Sequence, residues 1–390
     1  MPVDETAIRQ WADRHDCRSN LPVLVRRLIR ETTESLVSMR FPGNEAVDLP
    51  GLDGQVECEA GTVWVPQGQS VWEMGCNVDP RSKADGDYRK RTEETPQDQR
   101  ENSAFVFVTP RRWNGKEDWL EERRSEGAWA TVEAFDAIDL ETWLEDAPAT
   151  ARWLGEKLGV AWPGLKTPHE WWNSWATASV PPLSIKLVSS RRHNEQSVLL
   201  QKLRDREQIV PVQADDRGEA VAFVVATMIE ADALDLLDTT VVATSRDARI
   251  PTSANHLIVV ADVGDGEELD FGDRRNLTIV RAYPKGRLDV REALLLSHVP
   301  SDTFRTELES MGLSRDDADN LAIKVGHSVP VLRRQLSRDP EVRRPSWVRD
   351  RAVAKRALPF ALAGSWVERE SMDDSTILRK RDDLTLCGEA

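Results

Sequence analysis

The chain has 390 residues, of which 40% are hydrophobic and 31% are charged, and its formal net charge is −15. The length exceeds one ordinary core and favours two domains. The acidic balance excludes a protein coated with basic surface for nucleic acid, although it leaves room for a local basic groove. No apolar run could span a bilayer, and the polar N-terminus lacks the apolar core of a signal peptide. We therefore expect a soluble, cytoplasmic protein without a membrane partner.

The four cysteines lie far apart in the sequence, at Cys17, Cys58, Cys76 and Cys387. No CxxC pair occurs among them, so the spacing predicts neither a zinc site nor a disulfide framework. We expect ordinary buried or idle thiols.

The first half of the chain predicts a helix, a group of short strands, and then alternating helices and strands. Leu24, Leu28 and Leu36 recur at helical spacing and predict a helix over 22–38. Turn clusters separate three short strands, "QVECEA", "TVWVP" and "SVWEMG". The elements predicted next are a polar helix over 83–94, a strand over 103–110, a helix over 116–126, the strand "ATVEAFD" and one helix over 139–159.

A Trp- and Pro-rich segment over 166–182 predicts a packed connector after a first domain of residues 1–165. The second half then alternates strands and helices, which predicts a parallel sheet over 183–286. Its predicted strands are "SIKLVSS", "QIVPVQA", "TTVVATS", "HLIVVAD" and "LTIVRAY". Helices follow over 287–370, beginning with "DVREALLLSH", and a polar tail occupies 371–390. Gly312 and Gly326 are expected to end two of these helices.

Two carboxylates stand out in the first domain. Asp53 lies in a turn before the strand "QVECEA", and Glu73 ends the apolar strand "SVWEMG". Carboxylates from adjacent strands can sit side by side and bind a divalent cation such as Mg²⁺ (or Mn²⁺), and a nearby lysine can stabilise the developing anion. Simpler interpretations remain open: Asp53 as a turn residue, Glu73 as an edge carboxylate paired with an arginine, and Lys83 as a solvated surface lysine.

The segments "PGLDGQVE", "VPQGQSVWEMG" and "KADGDYRKR" resemble the PD-(D/E)xK nuclease superfamily, near its Mrr-like restriction endonuclease branch. In that pattern an Asp is followed by Glu-x-Lys on the next strand. Asp53 and Glu73 match the two acids, but Gly75 stands where the lysine belongs. Because members of the superfamily can supply that lysine from the following helix, Lys83 is the nearest candidate and Lys90 the second.

The resemblance implies a restriction-endonuclease-like mixed sheet flanked by helices and a metal-dependent nuclease that cleaves DNA. It implies Asp53 and Glu73 as Mg²⁺ ligands and Lys83 as the charge-stabilising catalytic group. Lys90 and Arg91 are expected to contact DNA phosphates, which would position a duplex without reading its sequence. Other basic residues extend this predicted phosphate track, namely Arg26, Arg27, Arg30, Arg81, Arg89, Arg111 and Arg112.

The second domain resembles the core of a STAND or AAA-type NTPase, an α/β parallel sheet with a C-terminal helical lid. It lacks the glycine-rich phosphate loop with its GK[ST] ending, so we interpret it as a degenerate NTPase-like module for partner binding, oligomerisation or sensing. The fusion resembles bacterial antiphage defence proteins, in which a sensor domain restrains a nuclease. Two alternatives stay open: a catalytically inactive nuclease-like scaffold that binds nucleic acid or protein, and a nucleotide sensor.

Overall fold

The computed structural model describes residues 3–41, 51–160, 162–250, 255–263, 269, 276–285 and 292–343. The fold is mixed α/β and divides into two compact units. The first comprises residues 1–165 with 249–257, and the second comprises 166–248 with 258–390. Within the described residues, none of the helices combines the length and the apolar character that crossing a bilayer requires. The predicted polar tail over 371–390, with Cys387, lies outside the described residues.

The first unit has a five-stranded sheet with helices on both faces. Its helices are α1 (Glu5–Trp11), α2 (Cys17–Thr32), α3 (Pro80–Glu94), α4 (Gln97–Arg100), α5 (Lys116–Ser125), α6 (Ala137–Asp146) and α7 (Pro148–Leu158). Its strands are β1 (Leu36–Arg40), β2 (Gly54–Cys58), β3 (Gly68–Met74), β4 (Ser103–Val108) and β5 (Thr131–Phe135).

The strands follow one another across this sheet in chain order. β1, β2 and β3 are antiparallel neighbours, whereas β3, β4 and β5 run parallel. The crossover from β3 to β4 goes through α3, as a parallel pair requires. The sheet is therefore mixed, and its parallel part is the part that needs cover on both faces.

Alternating side chains of β3 and β4 build two cores. Trp72 and Val106 pack into the larger core with α1, α2, α6 and α7, where the Trp72, Trp143 and Phe135 rings contact one another. Val71 and Phe105 face the opposite side with residues of α3 and α5. Because side chains alternate along a strand, Glu73 shares the face of Val71 and points toward α3.

Three predictions for the first unit were wrong in detail. The helix predicted over 22–38 begins earlier, at Cys17, and ends at Thr32, because Leu36 belongs to β1. The segment "TVWVP" forms a loop that buries Val65, not a strand. The helix predicted over 139–159 is two helices separated at Ala147. Asp136, not Asp139, caps the first, and Pro148 begins the second, where its missing N–H costs little.

The second unit contains a six-stranded sheet in the order β11-β7-β10-β9-β8-β6. Its strands are β6 (Leu165–Lys166), β7 (Ile209–Ala214), β8 (Thr240–Ala243), β9 (Leu257–Ala261), β10 (Leu277–Pro284) and β11 (Leu294–Leu295). Its helices are α8 (Pro168–Thr177), α9 (Lys186–Ser189), α10 (His193–Arg204), α11 (Arg217–Glu230), α12 (Leu234–Leu237), α13 (Ser301–Ser310), α14 (Arg315–Lys324), α15 (Val329–Gln335) and α16 (Pro340–Arg343).

β7 lies between β10 and β11 and runs parallel to both, and β8 runs parallel to β9. Gly312 and Gly326 follow α13 and α14 with positive φ, as expected of glycines at helix C-termini. Two predictions failed. "SIKLVSS" contains the short helix α9 instead of a first strand, and the described part of "DVREALLLSH" contains β11 instead of a helix. The first long strand of this sheet is therefore β7.

Candidate active site

Strand register places Asp53 and Glu73 opposite each other. Gly54 pairs with Trp72 in the antiparallel β2–β3 ladder, so the preceding and following residues meet at the same end of that pair. The Asp53 carboxylate Oδ2 accepts a hydrogen bond from the backbone N–H of Met74 at 2.9 Å. Asp53 thus fixes the end of β3 directly beside Glu73, and it immediately precedes the first residue of β2, Gly54.

Glu73 is 2% exposed and forms an ion pair with Arg91, which is 6% exposed. The Nε atom of Arg91 donates to Glu73 Oε1, one terminal nitrogen donates to the carbonyl of Gly51, and the other donates to Glu94 Oε2 at 2.6 Å. The arginine therefore joins the site strand, the segment before β2 and the last turn of its own helix. A glutamate paired with an arginine was one of the alternatives that the sequence left open.

Glu73 titrates abnormally because its surroundings disfavour the carboxylate. Burial and the neighbouring carboxylate of Asp53 raise the pKa of Glu73 to about 7, although Arg91 pulls the pKa in the opposite direction. The Asp87 carboxylate adds to the increase. Perturbed carboxyl groups beside one another are typical of functional sites, although structural ion pairs produce them too.

One face of α3 supplies the remaining charges. Lys83, Asp87 and Arg91 follow at intervals of four residues, so their side chains stack along one side of the helix. Lys83 Nζ donates to Asp87 Oδ1 at 2.7 Å. The second oxygen of Asp87, Oδ2, is buried and has no hydrogen-bond partner within the described part of the chain. Burial raises the pKa of Asp87 above its ordinary value.

Lys83 extends across Gly75. A Cβ atom placed on Gly75 would lie 2.6 Å from Lys83 Cγ and 3.4 Å from Phe107 Cζ. The alkyl chain of Lys83 thus occupies the space in which a side chain at position 75 would begin. This close approach accounts for the glycine, and the alkyl chain of Lys83 lies where a side chain at position 75 would start.

Sequence reasoning missed Asp87, although the spacing of Lys83, Asp87 and Arg91 carried a signal for a charged helix face. It also predicted a different environment for Arg91. A phosphate contact requires exposed donors, whereas Arg91 is buried and its guanidinium nitrogens bond to Glu73, Gly51 and Glu94. Lys90, by contrast, is exposed on α3, and the described residues provide it with no ion-pair partner.

The predicted phosphate track is only partly available. Arg81 pairs with Glu122 at 2.7 Å, and Arg111 pairs with Asp13 at 2.6 Å. Arg27 is buried, with its guanidinium over the Trp153 ring. Arg89 and Arg112 are exposed and, like Lys90, meet no acidic partner in the described residues. The cations open to a ligand are thus fewer than the sequence indicated.

The donor set suits a hard divalent cation only in part. No group of three or more His, Cys, Asp or Glu side chains is arranged as a metal site among the residues that the structure describes. Asp53 and Glu73 offer two neighbouring carboxylates, and Mg²⁺ is commonly held by one or two carboxylates together with waters and substrate phosphates. Burial and the repulsion by Asp53 raise the pKa of Glu73, and a bound cation would relieve the repulsion.

Glu31, the other glutamate of the first unit with a strongly raised pKa, has a structural role. It is fully buried in α2 and accepts hydrogen bonds from the backbone N–H groups of Ala149 and Thr150, both at 2.8 Å, and from the Thr150 hydroxyl. These contacts satisfy the N-terminus of α7. Burial raises the pKa of Glu31 to about 7. Its oxygens are committed to this cap.

In the second unit, the connection from β7 to α11 joins a parallel strand to a helix N-terminus, the arrangement that phosphate loops use in other proteins. It consists of Asp215 and Asp216, and the Asp216 carboxylate accepts from the Glu219 N–H at 2.7 Å. An aspartate therefore occupies the helix N-terminus that a phosphate would otherwise take. In the same unit, Arg192 is buried and pairs with Glu219 at 2.7 Å.

The chain matches no model of a known protein family, and it matches none of the curated protein sequences with which it was compared.

Proposed function

We propose that the first unit is a metal-dependent endonuclease that hydrolyses DNA phosphodiester bonds. One observation carries the proposal: the side chain of Lys83 runs across Gly75, two residues after Glu73, and bonds to Asp87, whose carboxylate interacts with those of Asp53 and Glu73. Two acids and a lysine are thereby gathered at the end of β3 although the local sequence lacks Glu-x-Lys. The order of elements from α2 to β4, which is one helix, three strands, two helices and one strand, gives further support.

The residues have distinct roles in this proposal. Asp53 and Glu73 hold Mg²⁺ or Mn²⁺, and Arg91 orients the Glu73 carboxylate from the side. When bound, the cation supplies Lewis-acid activation of water and neutralises charge on the phosphate. Lys83 stabilises the negative charge that develops on the phosphate, and Asp87 holds the Lys83 ammonium in place. Lys90 contacts a DNA phosphate and positions the substrate.

The direct experiment is plasmid cleavage with Mg²⁺ or Mn²⁺. We expect the wild type to cut, and Glu73→Ala and Lys83→Ala each to reduce the rate by roughly a hundredfold or more, the usual scale for losing transition-state charge stabilisation. Glu93→Ala is the matched control, because Glu93 is exposed on the same helix and lies outside the proposed machinery. An active wild type whose rate is insensitive to Glu73→Ala would refute the assigned site.

A second test of the role of Lys83 moves the lysine from the helix, at position 83, to the strand end, at position 75. Lys83→Ala removes the atom that a Cβ on Gly75 would strike, so the double variant Gly75→Lys/Lys83→Ala has room for the strand lysine. We expect this variant to recover part of the activity that Lys83→Ala loses, whereas Gly75→Lys alone should crowd Lys83. Failure of the double variant to exceed Lys83→Ala, in a protein that still binds Mn²⁺, would contradict the proposed replacement.

The Arg91–Glu73 ion pair favours a second candidate function, a nuclease-like scaffold that binds nucleic acid or protein without cutting it. In such a protein the guanidinium takes the place of the cation beside Glu73. Mn²⁺ titration separates the two candidates. The nuclease binds the ion through Asp53 and Glu73, and Glu73→Ala weakens binding. The scaffold binds DNA equally well with Glu73 or alanine and shows no dependence on the metal.

The same proposal gives the second unit a regulatory role, as in an antiphage defence effector of the bacterial cytoplasm. Its Asp215–Asp216 connection supports control through oligomerisation or a protein partner more than through a nucleotide phosphate at that helix end. Cleavage by the full chain and by chains with substitutions on the exposed surface of this unit, measured beside their sedimentation behaviour, tests that role. Rates that never change with oligomeric state would count against it.

A further inference from the structure

Two cysteines far apart in the sequence meet in the first unit. Cys17 is the first residue of α2, and Cys76 follows the end of β3. Their Sγ atoms are 3.1 Å apart, and both thiols are reduced. A disulfide has an S–S distance of about 2.05 Å, so a movement of about 1 Å would bring the two atoms to bonding distance.

The surroundings make the two thiols unequal. Cys17 is completely buried, whereas Cys76 is half-buried and within reach of a small solute. The hydrogen bond between the thiols raises the pKa of Cys17 and lowers the pKa of Cys76, and the positive charges of Arg111 and Arg18 lower the pKa of Cys76 further. Cys76 is therefore the more nucleophilic sulfur, and the adjacent Cys17 remains a protonated thiol.

The backbone around Cys76 is held in place. Arg111 Nε donates to the Cys76 carbonyl at 3.1 Å, and the same guanidinium donates to the Ala12 carbonyl at 3.1 Å and binds Asp13. The Gly75 N–H donates to the Val108 carbonyl at 3.0 Å. The thiols are thus presented to each other by an ordered framework, which favours reaction between them over reaction with other thiols.

We propose that Cys17 and Cys76 form a reversible oxidation site that closes into an intramolecular disulfide when a hydroperoxide reacts with Cys76. The Cys76 thiolate attacks the peroxide, the O–O bond breaks, and a sulfenic acid and hydroxide form; the hydroxide takes up a proton to give water. The Cys17 sulfur then attacks Cys76, an S–S bond forms, and the oxygen leaves as a second water with the Cys17 proton. In sum, two thiols are oxidised and one hydrogen peroxide is reduced to two waters.

The cross-link would tie the start of α2 to the end of the strand that carries Glu73. Because it closes a loop of some 60 residues, it restricts the unfolded chain and stabilises the first unit, on the chain-entropy account of disulfides. We expect the melting temperature of this unit to rise by roughly 5–10 °C on oxidation and to return after treatment with dithiothreitol.

The test uses the reduced full chain, treated with a small excess of hydrogen peroxide and digested without reductant. We expect a cross-linked Cys17–Cys76 peptide by mass spectrometry and an intact mass lower by two hydrogen atoms. Cys58→Ser is the matched control, since Cys58 is buried with its own contacts to Ser35 and the Ala60 carbonyl, and it should retain the cross-link.

Cys76→Ser should abolish both the cross-link and the rise in melting temperature. This variant replaces the half-buried member, so it keeps the test open if Cys17→Ser fails to fold. Oxidation of Cys76 to a sulfinic acid without a cross-link, or a cross-link that uses Cys58 or Cys387 instead, would overturn the proposal. So would persistence of both free thiols under conditions that fully oxidise glutathione.

Discussion

Each unit buries an arginine–glutamate ion pair near the carboxyl end of a strand. The two pairs differ in their other hydrogen-bond partners and in how the carboxylates around them are satisfied. In the second unit, Arg192 donates to Glu219, to the Ser297 carbonyl at 2.9 Å and to the Val188 carbonyl at 2.8 Å. The other oxygen of Glu219 accepts from the Asp215 N–H. All three guanidinium nitrogens of Arg192 and both carboxylate oxygens of Glu219 thus bond to groups inside the protein.

In the first unit, the Arg91–Glu73 pair has two further carboxylates beside it, Asp53 and Asp87, and one Asp87 oxygen is buried without a partner in the described residues. Glu219 also has two neighbouring carboxylates, Asp215 and Asp216, but Asp215 pairs with Lys285 at 2.9 Å and Asp216 caps α11. The two sites therefore differ in the buried Asp87 oxygen that has no partner in the described residues, because an unsatisfied buried carboxylate oxygen is costly until a cation joins it. The comparison teaches that the bonding of the neighbouring carboxylates, and not the ion pair itself, distinguishes a candidate site from a structural anchor.

Substitution of the two arginines should give the largest difference in stability between the two units. We expect Arg192→Leu to lower the free energy of unfolding of the second unit by about 3–5 kcal/mol, because Glu219 is left buried and unpaired. Arg91→Leu should cost the first unit less, about 2 kcal/mol, because one of the three partners of Arg91, the Glu94 carboxylate, is exposed and stays hydrated without it. Hydrogen exchange resolved by peptide measures each unit separately. Equal losses in the free energy of unfolding would show that the two ion pairs stabilise their units to the same extent.

The second largest effect is expected in the pH dependence of the stability of the first unit. Glu73 has a pKa of about 7 in the folded chain against 4.5 in its ordinary state, so between these values the folded state binds more protons than the unfolded state. The first unit should therefore lose stability as the pH rises from 4.5 to 7, by up to about 3 kcal/mol from this group. Glu31 contributes a similar loss.

Glu73→Gln should flatten the pH profile, and leave the contributions of the other carboxyl groups whose pKa is raised, among them Glu31 and Asp87. Mg²⁺ should flatten the wild-type profile as well and leave the Glu73→Gln profile unchanged. Chemical denaturation at a series of pH values provides the measurement. A wild-type stability that increases between pH 4.5 and 7 would contradict the raised pKa values.

Asp87→Asn is a smaller change directed at the unsatisfied carboxylate. We expect its effect on the free energy of unfolding to stay below about 1 kcal/mol, because its partner Lys83 is partly exposed to solvent. Cleavage should fall roughly tenfold, since Lys83 loses the contact that positions it. Lys83 should also become more reactive toward acetylating reagents, a change that a purely structural Asp87 would not produce. Unchanged reactivity would refute the positioning role.

The smallest effect is expected at Lys90, an exposed cation that serves as the counterpart of buried Arg91. Lys90→Ala should change the free energy of unfolding by less than about 0.5 kcal/mol. It should weaken DNA binding and reduce the dependence of log affinity on log salt concentration by about 0.9, the amount for one phosphate contact on duplex DNA. Binding curves at several salt concentrations measure this slope, and an unchanged slope would remove Lys90 from the interface.

The local sequence pattern was enough to predict much of the secondary structure of the first unit. The strand at 103–110, the polar helix near 83–94 and the hairpin that brings Asp53 to Glu73 follow from alternation and turn residues, and the structure has all three. The position of Lys83 over Gly75 is consistent with a lysine supplied from the following helix, although only the structure gives the contact.

Features that depend on distant parts of the chain could not be predicted in this way. "SIKLVSS" is rich in strand-forming residues, yet Leu187 and Val188 are buried in a short helix that packs on α11. Arg91 looks like any exposed base until the fold turns it toward Glu73, and the contact of Cys17 with Cys76 joins residues 59 positions apart. Tertiary packing decides these cases, because local preference is too weak to oppose it.

Helix α3 has a mechanical consequence. Lys83, Asp87 and Arg91 are attached to one rigid rod, while Asp53 and Glu73 belong to the sheet beneath it. A slight roll of that rod would move an ammonium, a carboxylate and a guanidinium together relative to two fixed acids. The outer side of the same rod carries Arg89 and Lys90 in solvent. Nucleic acid bound to Arg89 and Lys90 could therefore shift the whole helix, and the side chains of Lys83, Asp87 and Arg91 would move with it.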